Sequence, residues 1–193
     1  MHILDFALWY RSLGWSCIPM LMTDKKPAVR WKKYQQTQAS ETTIRGWFAR
    51  GTTFGMAVVF GEVSGGLASR DFDTESTYLE WRHKHLDLAE SLPTVKTHRG
   101  FHIYFRVKAG CVAEIRTYLG KPPGTGAIDF GDGELRADVG CYSVLPPSRH
   151  PKGSIYKWIV EPYEDLPLLD PMDAGFLDTI NVTERNRENR GER

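Results

Sequence analysis

The chain has 193 residues, of which 41% are hydrophobic, and its 25 basic and 24 acidic side chains leave a formal net charge of +1. That length buries a core without disulfide or metal staples and accommodates one domain plus at most a small appendage. The balanced charge excludes a histone-like protein that holds nucleic acid by bulk charge alone, but not one with a local basic patch.

The N-terminus begins Met-His-Ile-Leu-Asp, with no basic region followed by an apolar one, so no signal peptide is expected. Ile3, Phe6, Ala7, Tyr10 and Leu13 recur at helical spacing until Gly14. Trp15 to Met20 reads as a short buried strand and Thr23 to Pro27 as a loop. Ser40 is the expected N-cap of a helix carrying Ile44, Trp47 and Phe48 and ending at Gly51. Met56 to Phe60 is a second buried strand, and even this apolar run is too short to span a bilayer. Ser64-Gly65-Gly66 turns the chain into a strand from Leu67 to Asp73. Thr77 to Leu92 is predicted as one helix, closed by Pro93.

Val95 and Phe101 to Val107 read as strand, and Ala113 to Leu119 as a short helix. A loop from Lys121 to Gly126 precedes strands at Ala127 to Phe130, Glu134 to Ala137, Tyr142 to Leu145 and Tyr156 to Val160. Residues 166–183 show no clear pattern. Glu184 to Arg193 hold seven charged side chains and no apolar one, as in a polar tail or linker. Short strands mixed with helices in this order predict an α+β or α/β sheet domain. Cys17, Cys111 and Cys141 form no CxxC pair. They predict neither a thiolate zinc site nor a secreted disulfide framework, and they point to the reducing cytoplasm.

Five segments carry chemistry. Lys25, Lys26, Arg30, Lys32 and Lys33 lie within nine residues without an acid, interleaved with Trp31 and Tyr34. A phosphate-tracking groove with stacking aromatics has this composition, although the segment alone reads as a solvated loop with a buried Trp. Asp71 and Asp73 stand at i and i+2, which on a strand places them on one face about 6.5 Å apart. Carboxylates so placed can share divalent cations, or simply face water. In the run Phe101 to Val107, the phenylalanines, Ile103 and Val107 face a core. His102, Tyr104 and Arg106 face the other way, on a polar side where His102 can donate to a phosphate, with Lys96 and Arg99 adding charge. Glu134 and Arg136 share a strand face after a Gly-Asp-Gly turn, and Glu134 can complete a set of three acids. Asp129 and Asp138 compete for that role. Pro146-Pro147-Ser148-Arg149-His150-Pro151-Lys152 is a preformed loop whose Ser148, His150 and Lys152 can meet a nucleotide's sugar or phosphates.

Each signal is weak alone, but their order is specific. Asp-Phe-Asp on a strand comes first, then Thr97-x-x-Gly100-x-His102-x-Tyr104-Phe105, then Glu134-x-Arg136. Last is Tyr142-x-Val144-x-Pro146-Pro147-Ser148-x-His150-x-x-Gly153-x-x-Tyr156-x-Trp158. This series resembles the bifunctional primase-polymerase (prim-pol) domain of the archaeo-eukaryotic primase superfamily. Ala7-Leu8-x-Tyr10, Gly14-Trp15-x-x-Ile18-Pro19, Lys26-Pro27, Trp31, Tyr34-Gln35 and Trp47-Phe48 extend the likeness over about residues 3–160.

The resemblance implies an RRM-like primase-polymerase sheet at about 67–160, with a smaller N-terminal α/β module at about 1–66, together a catalytic domain over 1–165. It implies template-directed nucleotidyl transfer in DNA replication, with Mg²⁺ or Mn²⁺ in a two-metal site, single-stranded DNA as template and dNTP or NTP as substrate. Asp71 and Asp73 fall on the family's paired metal acids, His102 on its nucleotide-phosphate histidine and Glu134 on the third acid. The interval from Glu134 to Tyr142 is about one residue longer than is usual, which keeps Asp138, then Asp129, open for that third role. Arg99 and Arg136 become candidates for the triphosphate, and Lys25 to Lys33 for template or nucleotide. Ser69-Arg70 stands where the family carries apolar strand residues. Such domains often accompany a helicase in replication proteins of plasmids, viruses and integrated elements. A non-catalytic single-stranded-DNA-binding or origin-recognition module, and a metal-dependent nuclease, are the alternative functions.

Overall fold

The computed structural model describes residues 2–49 and 54–179. The predicted helix end at Gly51 and the polar tail therefore lie outside the described residues. In chain order the elements are α1 (Ile3–Ser12), β1 (Ser16–Leu21), β2 (Lys26–Pro27), α2 (Glu41–Trp47), β3 (Gly55–Val59), β4 (Leu67–Phe72), α3 (Glu75–Lys84) and α4 (Leu86–Ser91). There follow β5 (Thr94–Lys96), β6 (Phe101–Val107), α5 (Cys111–Tyr118), β7 (Ile128–Asp129), β8 (Gly133–Arg136), β9 (Tyr142–Leu145), β10 (Lys157–Val160) and β11 (Leu168–Leu169). Among the described residues no helix is long and apolar enough to cross a membrane.

Local chemistry sets most of these ends. His2 and Asp5 form a capping box at α1, and Ser40 Oγ accepts from Thr43 N at 3.1 Å to start α2. Two expectations need correction. The loop at Thr23 to Pro27 closes as a hairpin, because Lys26 and Pro27 pair with Leu21 and Met20. The single helix over Thr77 to Leu92 is two helices, broken at His85 (φ −129°, ψ 53°). A segment from the chain's far end supplies the reason. Trp81 Nε1 donates to Ala174 O at 3.0 Å, and His85 Nε2 pairs with Asp178 at 2.8 Å. Those contacts hold the elbow against the docked segment.

The architecture is mixed α+β, with two largely antiparallel sheets. The first has the order β2-β1-β3-β9, and the second β10-β5-β6-β4-β8-β7, with β11 added parallel to β6. Strand alternation divides the second sheet's side chains between two cores. Ala68, Phe72, Phe101, Ile103, Phe105 and Leu135 face the helices and pack with Trp81, Ile115 and Phe176. Leu67, Val95 and Tyr104 face the first sheet and pack with Trp15, Ile18, Val58 and Phe60.

The face of β6 expected to be polar is thus largely buried between the sheets. His102 is 7% exposed and Tyr104 fully buried. Tyr104 stacks on Trp15 at 5.7 Å, and Trp158 Nε1 donates to Tyr10 OH at 2.7 Å, so the seam between the sheets is aromatic.

Arg70 occupies an apolar position on β4 and is completely buried on the helix side. Its guanidinium lies over Phe72 (4.0 Å) and Phe130 (4.8 Å), pairs with Asp132 at 2.6 Å and donates through Nε to Phe176 O at 3.0 Å. A buried cation with every side so engaged is tolerated where an unpaired one is not.

Candidate active site

Three adjacent strands assemble the centre. Asp71 on β4 stands opposite Glu134 on β8 and, on its other flank, opposite His102 on β6. Directly opposed residues of antiparallel strands project to the same face, so Glu134, Asp71 and His102 form a row towards the first sheet. Asp73 follows the end of β4, and its N–H donates to Asp132 O at 2.9 Å. Two glycines permit this close packing at the strand end. A Cβ on Gly100 would lie 1.8 Å from Phe72 O, and one on Gly133 (φ +139°) would lie 1.9 Å from Asp71 O.

Charges interlock around the row. Arg136 Nη2 lies 2.8 Å from Glu134 Oε2 and 3.4 Å from Asp71 Oδ2, and His102 Nε2 lies 3.4 Å from Asp71 Oδ1. Arg136 Nη1 also donates to Tyr142 O at 3.0 Å, which ties the row to the first sheet. Burial would raise the Asp71 carboxyl, but His102, Arg136 and Arg70 outweigh it and hold the group at about 2. Asp73 moves the other way, raised by burial and then by the negative charge of Asp71.

The row opens into a cleft with two arms. One, about 370 Å³, is lined by Glu134, Arg136, Cys141, Tyr142 and Val144. The other, about 430 Å³, is lined by Asp73, Thr97, His98, Arg99, His150 and Lys152. Lys25, Asp71, His102 and Tyr156 line both. Lys25 reaches the junction from the β1–β2 turn in a left-handed conformation (φ 55°), and its carbonyl accepts from Tyr142 OH at 3.3 Å.

Of the expected residues, Asp71, Asp73, Glu134, His102, Arg99, Arg136, His150, Lys152 and Lys25 therefore meet in one cleft. Others lie elsewhere. Ser148 is 2% exposed, and its Oγ accepts from Met56 N at 2.9 Å and donates to Met56 O at 3.2 Å, so it pins the proline loop to β3. Lys26 pairs with Asp24 in solvent, and Arg30, Lys32 and Lys33 are exposed and line neither arm. Asp138 lines a different cavity, and its carboxylate accepts from Val139 N. Asp129 is opposite Glu134 on the edge strand, one step further from Asp71. His98, Tyr142 and Tyr156 line the cleft without having been assigned to it. In the sequence His98 is the rival of His102 for a phosphate contact, but a turn leaves its side-chain direction undetermined, and the tyrosines read as ordinary strand residues.

A separate group of Cys111, Glu114 and Asp170 has its ligand atoms within 4.8 Å of one another. Burial, then Asp170, pushes the Cys111 thiol up to about 11, and it donates to Asp170 at 3.3 Å.

A family model described as bifunctional DNA primase/polymerase, N-terminal (Prim-Pol), matches residues 7–172. No curated protein matches the chain.

Proposed function

The chain belongs to the Prim-Pol family, and from that premise we propose that its cleft performs template-directed nucleotidyl transfer, building DNA from nucleoside triphosphates with divalent metal. The observation that carries this is the row of Glu134, Asp71 and His102, with Asp73 lining the same cleft. Family membership supports a primase/polymerase function in general, with DNA and nucleotides as substrates. The row supports the more specific assignment of roles.

Asp71, Asp73 and Glu134 would hold the metal. The donor set fits, because carboxylate oxygens suit Mg²⁺ or Mn²⁺. Asp73 is also raised by burial and then by the charge of Asp71, a repulsion that a divalent cation held by these acids would relieve. When bound, such ions lower the pKa of the attacking 3′-hydroxyl and neutralise charge on the triphosphate.

The protein's own groups divide the remaining work. Lys25, His98, Arg99, His102, His150 and Lys152 line one arm, and a polyanion gains charge-assisted hydrogen bonds there. His102 is held by Tyr104 OH at Nδ1 (3.4 Å) and by Asp71 at Nε2 (3.4 Å), and at the junction of the two arms its Nε2 proton can be shared between Asp71 and a phosphate oxygen. Arg136 bridges Asp71 and Glu134, and with metal held by those acids it would be available to the nucleotide. The arm walled by Tyr142 and Tyr156 offers aromatic surface to sugar and base. The 3′-oxygen, its proton lost to solvent, bonds to the α-phosphorus as the bond from that phosphorus to the bridging oxygen of pyrophosphate breaks, and the cation-lined arm holds the pyrophosphate until release.

The test is extension of a primed single-stranded template with dNTP and Mg²⁺ or Mn²⁺. Wild type should incorporate nucleotides, and the double substitution Asp71→Ala/Asp73→Ala should abolish incorporation with circular dichroism unchanged. Full activity in the folded double variant removes the proposal. Shortening of DNA by Mn²⁺ without dNTP would instead favour a nuclease, and DNA binding with no incorporation under either cation a non-catalytic module.

A further inference from the structure

We propose that His98 and His150 form a polyphosphate subsite at the outer end of the phosphate arm, which takes up a proton when the terminal phosphates of a nucleotide bind. This rests on the reading of the cleft given above and assigns it two residues with a joint role.

The pair is built from two distant loops. His98 lies in the β5–β6 turn and His150 in the proline loop between β9 and β10. Their rings stack face to face, with centroids 4.5 Å apart and planes 10° from parallel. Each is anchored through Nδ1. His98 Nδ1 meets Ser154 Oγ at 3.0 Å, and His150 Nδ1 accepts from Lys152 N at 3.1 Å. An Nδ1 that accepts leaves the ring proton of His150 on Nε2. Neither Nε2 has a hydrogen-bond partner among the described residues, so both are left for a ligand. Thr97 and Gly100 hold the His98 turn through Thr97 N to Gly100 O (2.9 Å) and Gly100 N to Thr97 Oγ1 (3.0 Å), so the turn is not a loose surface excursion.

The groups facing the pair are Lys25 from the β1–β2 turn, Arg99 beside His98, Lys152 on the proline loop, His102 and Tyr156, with Asp71 and Asp73 across the same cavity. Burial and then Lys25, His98, Lys152 and Arg99 lower the proton affinity of His150. Two imidazolium ions at stacking distance would repel as well. In the empty cleft, then, the cations keep this ring neutral near pH 7. A polyphosphate brings several negative charges into the same cavity and reverses the local sum. The ring then binds a proton from the buffer and becomes a second charged donor. The terminal phosphates are the fitting source, since the cavity is continuous with Asp71 and Asp73, where the reacting phosphate lies in the proposed reaction. Departure of pyrophosphate returns the proton.

Calorimetric titration of the full chain with inorganic tripolyphosphate, in two buffers of different ionisation enthalpy near pH 7.5, tests this directly. The heats should differ by the signature of net proton uptake. His150→Gln should abolish that difference, and His150→Gln and His98→Gln should each weaken binding about tenfold, the loss of one charge-assisted contact. Thermal melts check that both variants fold. In single-nucleotide incorporation, the wild-type KM for dNTP should rise with pH between 6 and 8, and the His150→Gln profile should be flat. Equal heats in both buffers, or uptake that persists in folded His150→Gln, overturn the subsite. Uptake with a single-stranded oligonucleotide but not with tripolyphosphate also overturns it, by reassigning the pair to the DNA backbone. Incorporation by wild type together with equal heats sinks this inference alone. Proton-coupled tripolyphosphate binding in a folded wild type that never incorporates nucleotides sinks the polymerase reading and keeps the subsite.

Discussion

Asp71 and Glu134 face each other directly across β4 and β8, with Arg136 Nη2 within 3.4 Å of the first and 2.8 Å of the second. Two acids and one cation on a shared sheet face form a preassembled group with one negative charge left over.

The register puts Glu134, and neither Asp129 nor Asp138, directly opposite Asp71, and from this we expect Glu134 to be the third acid. Glu134→Gln should lower incorporation by at least about a hundredfold, a loss on the scale of one transition-state charge contact. Asp138→Asn should stay within about twofold, because its carboxylate faces another cavity. Steady-state incorporation with Mn²⁺ measures both. A hundredfold loss in Asp138→Asn with an active Glu134→Gln would reverse the assignment.

Acid should loosen the metal-free fold through Asp71. Its folded pKa, about 2, lies below the ordinary 3.8, so the folded state binds this proton less well than the unfolded chain does. The resulting stabilisation is fully present above about pH 4 and is lost as pH falls towards 2. It amounts to roughly 2 kcal/mol. Urea melts of wild type and Asp71→Asn between pH 2 and 5 should converge as pH falls, and parallel curves would remove Asp71 as the cause.

Arg70 should matter for stability more than its exposed counterparts do. Arg70→Ala leaves Asp132 without its cation, with only the Thr179 hydroxyl still donating to it, and opens a cavity behind the acid row, at a cost of about 3–5 kcal/mol in chemical denaturation. Arg45→Ala, which removes an exposed i,i+4 pair with Glu41, should cost under about 0.5 kcal/mol.

Ser148 and Lys25 should separate structure from substrate binding. Ser148→Ala strands the buried Met56 N–H and should cost about 1–3 kcal/mol of stability with KM for dNTP unaltered. Lys25→Ala should raise that KM about tenfold with little change in melting temperature, since Lys25 is exposed at the junction of the two arms. Lys32→Ala/Lys33→Ala should leave KM unchanged. The opposite pattern would move Ser148 into the site and Lys25 out of it.

Gly100 is the backbone test. A methyl group at Gly100→Ala overlaps Phe72 O, so the end of β4 must shift. A stability loss of at least about 2 kcal/mol is expected in denaturant melts, with incorporation falling further than Ser148→Ala makes it fall.

Much of this protein was legible in one dimension. Alternation over Phe101 to Val107 separated a core-facing side from the side carrying His102, since strand side chains have a period of two. The motif order from Asp71 to Trp158 marked the family, because each motif is local and its spacing survives in the chain. Ser40 declared the start of α2 for the same reason, as capping needs only neighbours.

Long-range pairing decided the rest. The Glu134-x-Arg136 pattern puts Glu134 first for the third role but leaves Asp138 and Asp129 open, and of the three only Glu134 stands directly opposite Asp71. His102 looked half-exposed because the sheet that covers it is remote in sequence. The helix break at His85, the hydrogen bonds that occupy Ser148, the stacking of His98 on His150 and the arrival of Lys25 beside the acids all depend on contacts between distant segments. Periodicity and capping are set by neighbouring residues and can be read from the chain. Register, burial and the company a side chain keeps follow from how the two sheets close on each other, and that only the folded molecule contains.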